Sequence, residues 1–130
     1  MKGLIVMNAY PNGEKFYRQS RRIAEELNGI GIGAEIRRTS EIDAAIRFDG
    51  KAEASGGFDF AVYLDKDKYL GRILEKTGMR LFNSSEAVEL CDDKMLTYLA
   101  LSGTEIEIPE SVSAPLCYTP DVYPDEEFLS

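Results

Sequence analysis

Asp92, Asp93 and Lys94 close the run Arg80-Leu-Phe-Asn-Ser-Ser-Glu-Ala-Val-Glu-Leu-Cys-Asp-Asp-Lys94, which holds the clearest chemistry in the chain. A short strand over 80–82 leads into a helix-start pattern. Asn83 can accept from orphan amides, and Glu86, three residues on, can reach back. Asp92 and Asp93 then sit where the N-terminus of a second helix favours negative charge. Lys94 is a cation in that first turn, where the same dipole disfavours it. Such a lysine is easier to explain if it reaches outward to an anion. The plain alternative is a surface lysine paired with Asp92 or Asp93.

The elements that must position this run alternate between the two helical and extended periods. Leu4-Ile-Val-Met7 is a continuous apolar run with β-branched residues, as in a strand buried on both faces. Residues 16–28 place Phe16, Ile23, Ala24 and Leu27 on one helical face. Arg21–Glu25 and Arg22–Glu26 stand at i,i+4 on the other. Residues 34–37 and 58–64 read as further strands. Tyr69, Leu70, Ile73 and Leu74 form the apolar stripe of a helix that stops at Gly78, and 79–82 is the next strand. The pattern predicts an α/β fold: an open, mostly parallel sheet flanked by helices, with right-handed crossovers.

Sheets of this kind bind ligands beyond the carboxyl ends of their strands. That edge carries residues 8–13, 38–40, 65–68 and 83–85, and within it Asn8, Asn12, Lys66 and Lys68 are the candidate substrate contacts. Turn chemistry around Tyr10-Pro-Asn-Gly13 and capping within Asp65-Lys-Asp-Lys68 explain the same letters without a ligand.

Other features read as structural. Gly29-Ile-Gly-Ile-Gly33 follows a helix and precedes a strand, the reverse of a phosphate-cradling turn, so its glycines read as a helix C-cap. Arg18, Arg21 and Arg22 have acidic partners one turn away and read as a solvated face. Asp49-Gly50 and Gly56-Gly57 flank a hairpin or exposed excursion, and residues 40–46 suit a helical turn or a strand. Ile106, Ile108, Val112 and Leu116 suggest one or two short strands among prolines, and 120–130 a loosely ordered acidic tail.

The 130 residues fit one ordinary domain, and 44% hydrophobic with 29% charged residues is a globular composition. A net charge of −8 disfavours nucleic acid and anionic membranes as partners. Two cysteines, Cys91 and Cys117, make neither a disulfide framework nor a metal cluster, and there is no histidine. A Ser–His or Cys–His nucleophile pair is thereby excluded. The opening Met-Lys-Gly-Leu-Ile-Val-Met is too short for a signal segment or membrane span, so a cytoplasmic location is expected.

The string Asn83-Ser-x-x-Ala-x5-Asp93-Lys94-x6-Leu101, after a short strand and before Ile106-Glu-Ile-Pro109, resembles ATP-grasp carboxylate–amine ligases of the RimK-like group. The resemblance covers 59–111, with a weaker echo in the first strand and helix. In that family the segment joins the N-terminal pre-ATP-grasp domain to the ATP-binding domains. Glu107 stands where a family member usually carries a proline.

The resemblance implies a pre-ATP-grasp, Rossmann-like domain over 1–90. Residues 91–130 would then hold the linker helix and the start of an ATP-grasp domain. By position, Lys94 is the lysine that contacts nucleotide phosphates. It also implies an enzyme that activates a carboxylate as an acyl phosphate and joins it to an amino group, in the manner of a glutamate ligase. ATP would be held between subdomains beyond Ser130 and Mg²⁺ by acidic and Asn residues there, so neither is expected to bind this chain tightly. The chain itself would contribute no catalytic residue and no metal ligand, and would be inactive alone. Its partners would be the C-terminal ATP-grasp subdomains, an amino-acid or peptide-like substrate and possible copies of itself. Two rivals remain from the residues themselves. One is a stand-alone α/β module binding a small ligand or a protein. The other, a phosphorelay receiver, fails because Met7-Asn8 supplies no acidic pair.

Overall fold

The computed structural model describes residues 1–10, 13–113 and 118. Strand β1, Lys2–Met7, has five consecutive buried residues, as its unbroken apolar run requires. It lies inside a four-stranded sheet with β2 (Gly33–Arg38), β5 (Phe60–Tyr63) and β6 (Arg80–Phe82), in the order β2-β1-β5-β6. All three pairings are parallel, with Ile5 opposite Ile36 on one side and Val62 on the other. A parallel sheet needs crossovers, and helices α1 (Glu14–Gly29) and α2 (Lys68–Lys76) supply two of them.

These helices lie on opposite faces. Ser20 of α1, itself buried, reaches Met7 Sδ at 3.9 Å. On the other face Leu74 of α2 joins Leu4, Val6, Ala61, Tyr63 and Leu81 in the main core. This division follows from strand alternation, which sends Leu4 and Val6 to one side and Ile5 and Met7 to the other. Between β2 and β5 come a single 3₁₀ turn, Thr39–Glu41, and a two-stranded antiparallel hairpin, β3 (Ala44–Ile46) and β4 (Ala52–Ala54). Ile42, Ala44 and Ala54 pack from this hairpin onto the α2 side of the core. On the opposite side α1 covers β1 and β2. Phe60, Val62 and Phe82 therefore line an open apolar groove with Met1, Leu27 and Ile32.

The expected sheet, helices and hairpin are present, and several local expectations are corrected. Arg21 pairs with Glu14 rather than Glu25, whereas Arg22–Glu26 forms at 2.6 Å. Tyr69 is exposed rather than part of the core stripe, because Gly71 and Leu74 carry the buried face of α2. The third of the expected strands begins at Phe60, not residue 58. Phe58 turns aside beneath the Lys2 ammonium, 4.3 Å from the ring centroid.

Helix α3, Ser85–Asp92, is capped by Ser84, whose hydroxyl accepts from the Ala87 amide at 3.2 Å. Asn83 instead donates to the Tyr63 carbonyl at 3.4 Å. Asp92 ends α3 rather than opening the next helix. Helix α4, Lys94–Leu101, is capped by Asp93, which accepts from Met95 and Leu96 at 2.8 and 3.0 Å. No residue of α4 is buried; Leu99 is exposed, and the helix packs on α3. Residues 102–113 form no strand, and Pro109 withholds one ladder amide there. Leu116 and the tail over 120–130 lie outside the described residues.

Candidate functional site

Local chemistry builds the site at the carboxyl ends of β5 and β6. After β5 the chain turns at Asp65, whose Oδ1 accepts from the Asp67 amide at 2.7 Å. Asp67 then caps α2, accepting from Tyr69 and Leu70 at 3.0 and 3.1 Å. Its carbonyl accepts from the Tyr63 hydroxyl at 2.6 Å, which ties the helix start to the sheet. Burial, followed by the nearby Asp67 and Asp65 carboxylates, pushes the Tyr63 phenol well above its ordinary value. It is therefore a neutral donor.

Helix α3 runs beside α2. Gly71 allows the approach, since a Cβ there would lie 3.2 Å from Ser85 Cβ and 3.7 Å from Tyr63 Cζ. Glu75 of α2 accepts from both the amide and the hydroxyl of Ser85, the amide at 3.0 Å. Glu89 of α3 accepts from Lys68 at 3.0 Å and from Arg72. The Lys68 hydrogen bond first, then the charge of Arg72, holds the Glu89 carboxyl below its ordinary value; the same bond raises Lys68. Lys66 is bound to Asp92.

These helices enclose a groove of about 740 Å³ lined by Lys66, Lys68 and Lys94 together with Asp67, Glu89, Asp92 and Asp93. Three of the residues expected from sequence are thus brought together from positions far apart in the chain. Lys66 and Lys68 arrive already neutralised by α3. Lys94 has no ion-pair partner among the described residues: Asp92 is taken by Lys66 and Asp93 is turned to its own helix. With three lysines facing four carboxylates, the groove alone is no trap for a polyanion. A phosphate chain would need cations from elsewhere as well.

Asn8 lies apart from this groove, at the end of β1, with its side chain accepting from the Tyr10 amide at 2.8 Å. Asn12 lies outside the described residues. Sequence reasoning missed Glu89 as a counter-ion and Gln19 as a lining residue, and paired Asp92 with Lys94 where the structure pairs it with Lys66; Asp65 and Asn83, expected at the strand-end edge, line a second cavity beside the first. The signal for Asp65 was its place directly after an apolar strand. Nothing local marked Glu89. Among the described residues no group of three His, Cys, Asp or Glu side chains converges to hold a metal ion, so no step through Mg²⁺ is assigned to these residues. No helix among them is long and apolar enough to cross a membrane.

The architecture defines a Rossmann-like α/β domain with its polar groove at the strand carboxyl ends. No family model matches the chain. Over 66 residues it is 36% identical to a glutamate–LysW ligase ArgX of Sulfolobus acidocaldarius. It is 35% identical to the ArgX of Sulfurisphaera tokodaii over the same length. Each match takes in 48% of this chain and 23% of the relative. A RimK domain ATP-grasp protein of Sphaerobacter thermophilus shares the fold at a TM-score of 0.64 and 17% identity, over 83% of this chain and 40% of that one. In sequence the chain is similar to these glutamate–LysW ligases, of whose length it spans less than a quarter, and in fold to the RimK domain ATP-grasp protein.

Proposed function

We propose that this chain is the substrate-side domain of an ATP-dependent carboxylate–amine ligase, with Lys94 at the border of the nucleotide phosphates. The observation that carries the reading is the groove between α2, α3 and α4, in which Lys94 is the lysine left without a counter-ion among the described residues. The reaction would move the γ-phosphoryl group of ATP onto a carboxylate oxygen, releasing ADP. An amine nitrogen would then attack the acyl carbon, expelling phosphate and losing a proton as the amide forms. ATP and Mg²⁺ would be held chiefly by ATP-grasp subdomains following this domain, with residues 91–130 as the linker helix and the start of the first of them. The exposed apolar side chains of Leu99, Ile106 and Val112 support a surface that such a subdomain covers.

Within this scheme Lys94 supplies a mobile point charge that follows the shifting negative charge during phosphoryl transfer. The pairs Lys66–Asp92 and Lys68–Glu89 fix the walls around it. Glutamate is the first amine to assay, because the two curated relatives are glutamate–LysW ligases.

The test uses the protein in which this domain precedes ATP-grasp subdomains. Incubated with ATP, Mg²⁺ and a panel of carboxylates, it should form an acyl phosphate that hydroxylamine traps as a hydroxamate. ADP formation should require the acid, and amide formation the amine as well. ATP-independent binding of a small ligand, with no hydroxamate from any acid, would favour a stand-alone binding module instead.

A further inference from the structure

The apolar groove on the α1 side of the sheet is separate from the lysine groove and measures about 600 Å³. Helix α1 covers β1 and β2 on that side, and α2 lies on the other, so among the described residues no helix covers β5 and β6 there. Strand alternation sends Phe60, Val62 and Phe82 to this one face as its floor. Phe82 is 49% exposed and meets Phe60 edge-on, with 6.0 Å between ring centroids. An open apolar floor of this kind marks a contact surface.

Two charges frame it, and neither has an ion-pair partner among the described residues. Arg80 stands on the same face, its guanidinium 5.2 Å from the Phe82 ring centroid. Asp59 accepts only from the Lys2 backbone amide, at 2.6 Å, while the Lys2 ammonium pairs with Glu35. Both charges sit at the amino ends of their strands, Asp59 just before β5 and Arg80 opening β6. Helix α4 packs on α3 and α3 on α2, which puts α4 on the opposite side of the sheet. A subdomain docked on α4 therefore leaves this groove open.

We infer that the groove is a twofold interface between two copies of this chain. A twofold axis running along the strands, between β5 and β6, lays each β6 over β5 of the other copy. Val62 lies beside Phe82 and Phe60 beside Arg80 in the sheet. The axis therefore sets each Phe82 over Val62 of the other copy, and each Arg80 over its Asp59 and Phe60. Such an interface is isologous, so a frame of one sign would repel itself. This frame holds one cation and one anion and pairs them twice. At the ~10 Å spacing of packed layers, each α1 also flanks the other copy's β6, the unpaired edge of the sheet. Both sets of strands point the same way about this axis. The two lysine grooves consequently open at one end of the dimer and stay uncovered.

Sedimentation velocity of the 130-residue chain tests the interface, and the wild-type chain should be a dimer at hundred-micromolar concentration. Arg80→Glu sets a like charge against Asp59 of the other copy, and Asp59→Lys does the same against Arg80. Each should weaken self-association by about a hundredfold or more. An equimolar mixture of the two variants should restore the dimer, because a mixed pair again opposes unlike charges at both contacts. Phe82→Gln, at a half-exposed edge position, should weaken association by about tenfold or more. Circular dichroism checks each fold. Asp59→Lys gives up the bond to the Lys2 amide; if that variant alone fails to fold, Arg80→Glu and Phe82→Gln decide the outcome without it. A monomeric wild type, undiminished association in Arg80→Glu or Phe82→Gln, or a mixture of folded variants that stays monomeric would each overturn the interface. No nucleotide, acid or amine enters this measurement, so its failure is separate from failure of the hydroxamate assay.

Discussion

Replacing Glu75 by Ala should cost the domain more than any other single change to a charged residue on α2. The Glu75 carboxylate accepts from the Ser85 amide at 3.0 Å and from the Ser85 hydroxyl, so one helix caps the first turn of the next. Ser85 is only 4% exposed, so water cannot replace the lost acceptor at both groups. Hydrogen bonds to a charged group contribute about 1.5–3 kcal/mol, and stranding the buried donors falls in the same range. For a domain of this size each kcal/mol lowers the melting temperature by roughly 3–5 °C, giving an expected drop of about 5–15 °C. Thermal unfolding followed by circular dichroism measures it, with Glu25→Ala on the exposed face of α1 as the control. Glu75→Gln, which keeps one acceptor oxygen, should fall between wild type and Glu75→Ala. A midpoint for Glu75→Ala within error of the Glu25→Ala control would refute the claim that this contact holds α3 in place. It would also remove the reason for Glu89 and Asp92 to line the groove.

Three further outcomes follow from the same geometry. Gly71→Leu drives a side chain into Ser85 and Tyr63, so overpacking should cost ~1–3 kcal/mol in chemical denaturation and disturb Lys66 and Lys68 signals in NMR spectra. Glu89 is held below its ordinary value of 4.5, by Lys68 first and Arg72 second, so its stabilising effect is full above that value and fades as pH falls through the lowered one. The difference in thermal midpoint between wild type and Glu89→Gln should therefore be constant near neutrality and vanish in acid below 4.5; a difference that grows in acid would contradict it. The 130-residue chain should show no clear thermal shift with millimolar ATP and Mg²⁺, since its groove lining carries more carboxylates than lysines; a firm shift would mean the nucleotide site is complete within this chain.

The sheet was legible in the sequence because its central strands are continuous apolar runs; β1 is buried on both faces, whereas β5 buries Ala61 and Tyr63 and leaves Phe60 and Val62 half-buried toward the open groove. The runs at 4–7 and 60–63 have no polar interruption, and that alone distinguishes them from amphipathic edges. The hairpin was legible only in part: Gly50, at φ 80°, makes its turn rather than flanking it, and its first strand, 44–46, fell in the stretch that suited a helical turn or a strand. Helix starts were legible only to within a residue or so. Asn83, Ser84, Asp92 and Asp93 are all competent caps, and the winner depends on where the preceding strand ends and where α3 must stop. Lys66, Lys68 and Lys94 could be singled out one at a time, by strand-end position or by motif. Their convergence could not, because it depends on α2 lying against α3 through Gly71 and Glu75.

The turnover of Lys94→Ala, in the protein carrying this domain together with its ATP-grasp subdomains, is the most direct test of the functional reading. Lys94 is exposed in the first turn of α4 and carries little packing, so the thermal midpoint without nucleotide should barely move. Loss of one charge-assisted phosphate contact, about 1.5–3 kcal/mol, should lower ATP-dependent amide formation by roughly one to two orders of magnitude. Unchanged turnover with an unchanged fold would return Lys94 to the solvated surface and contradict its place at the nucleotide.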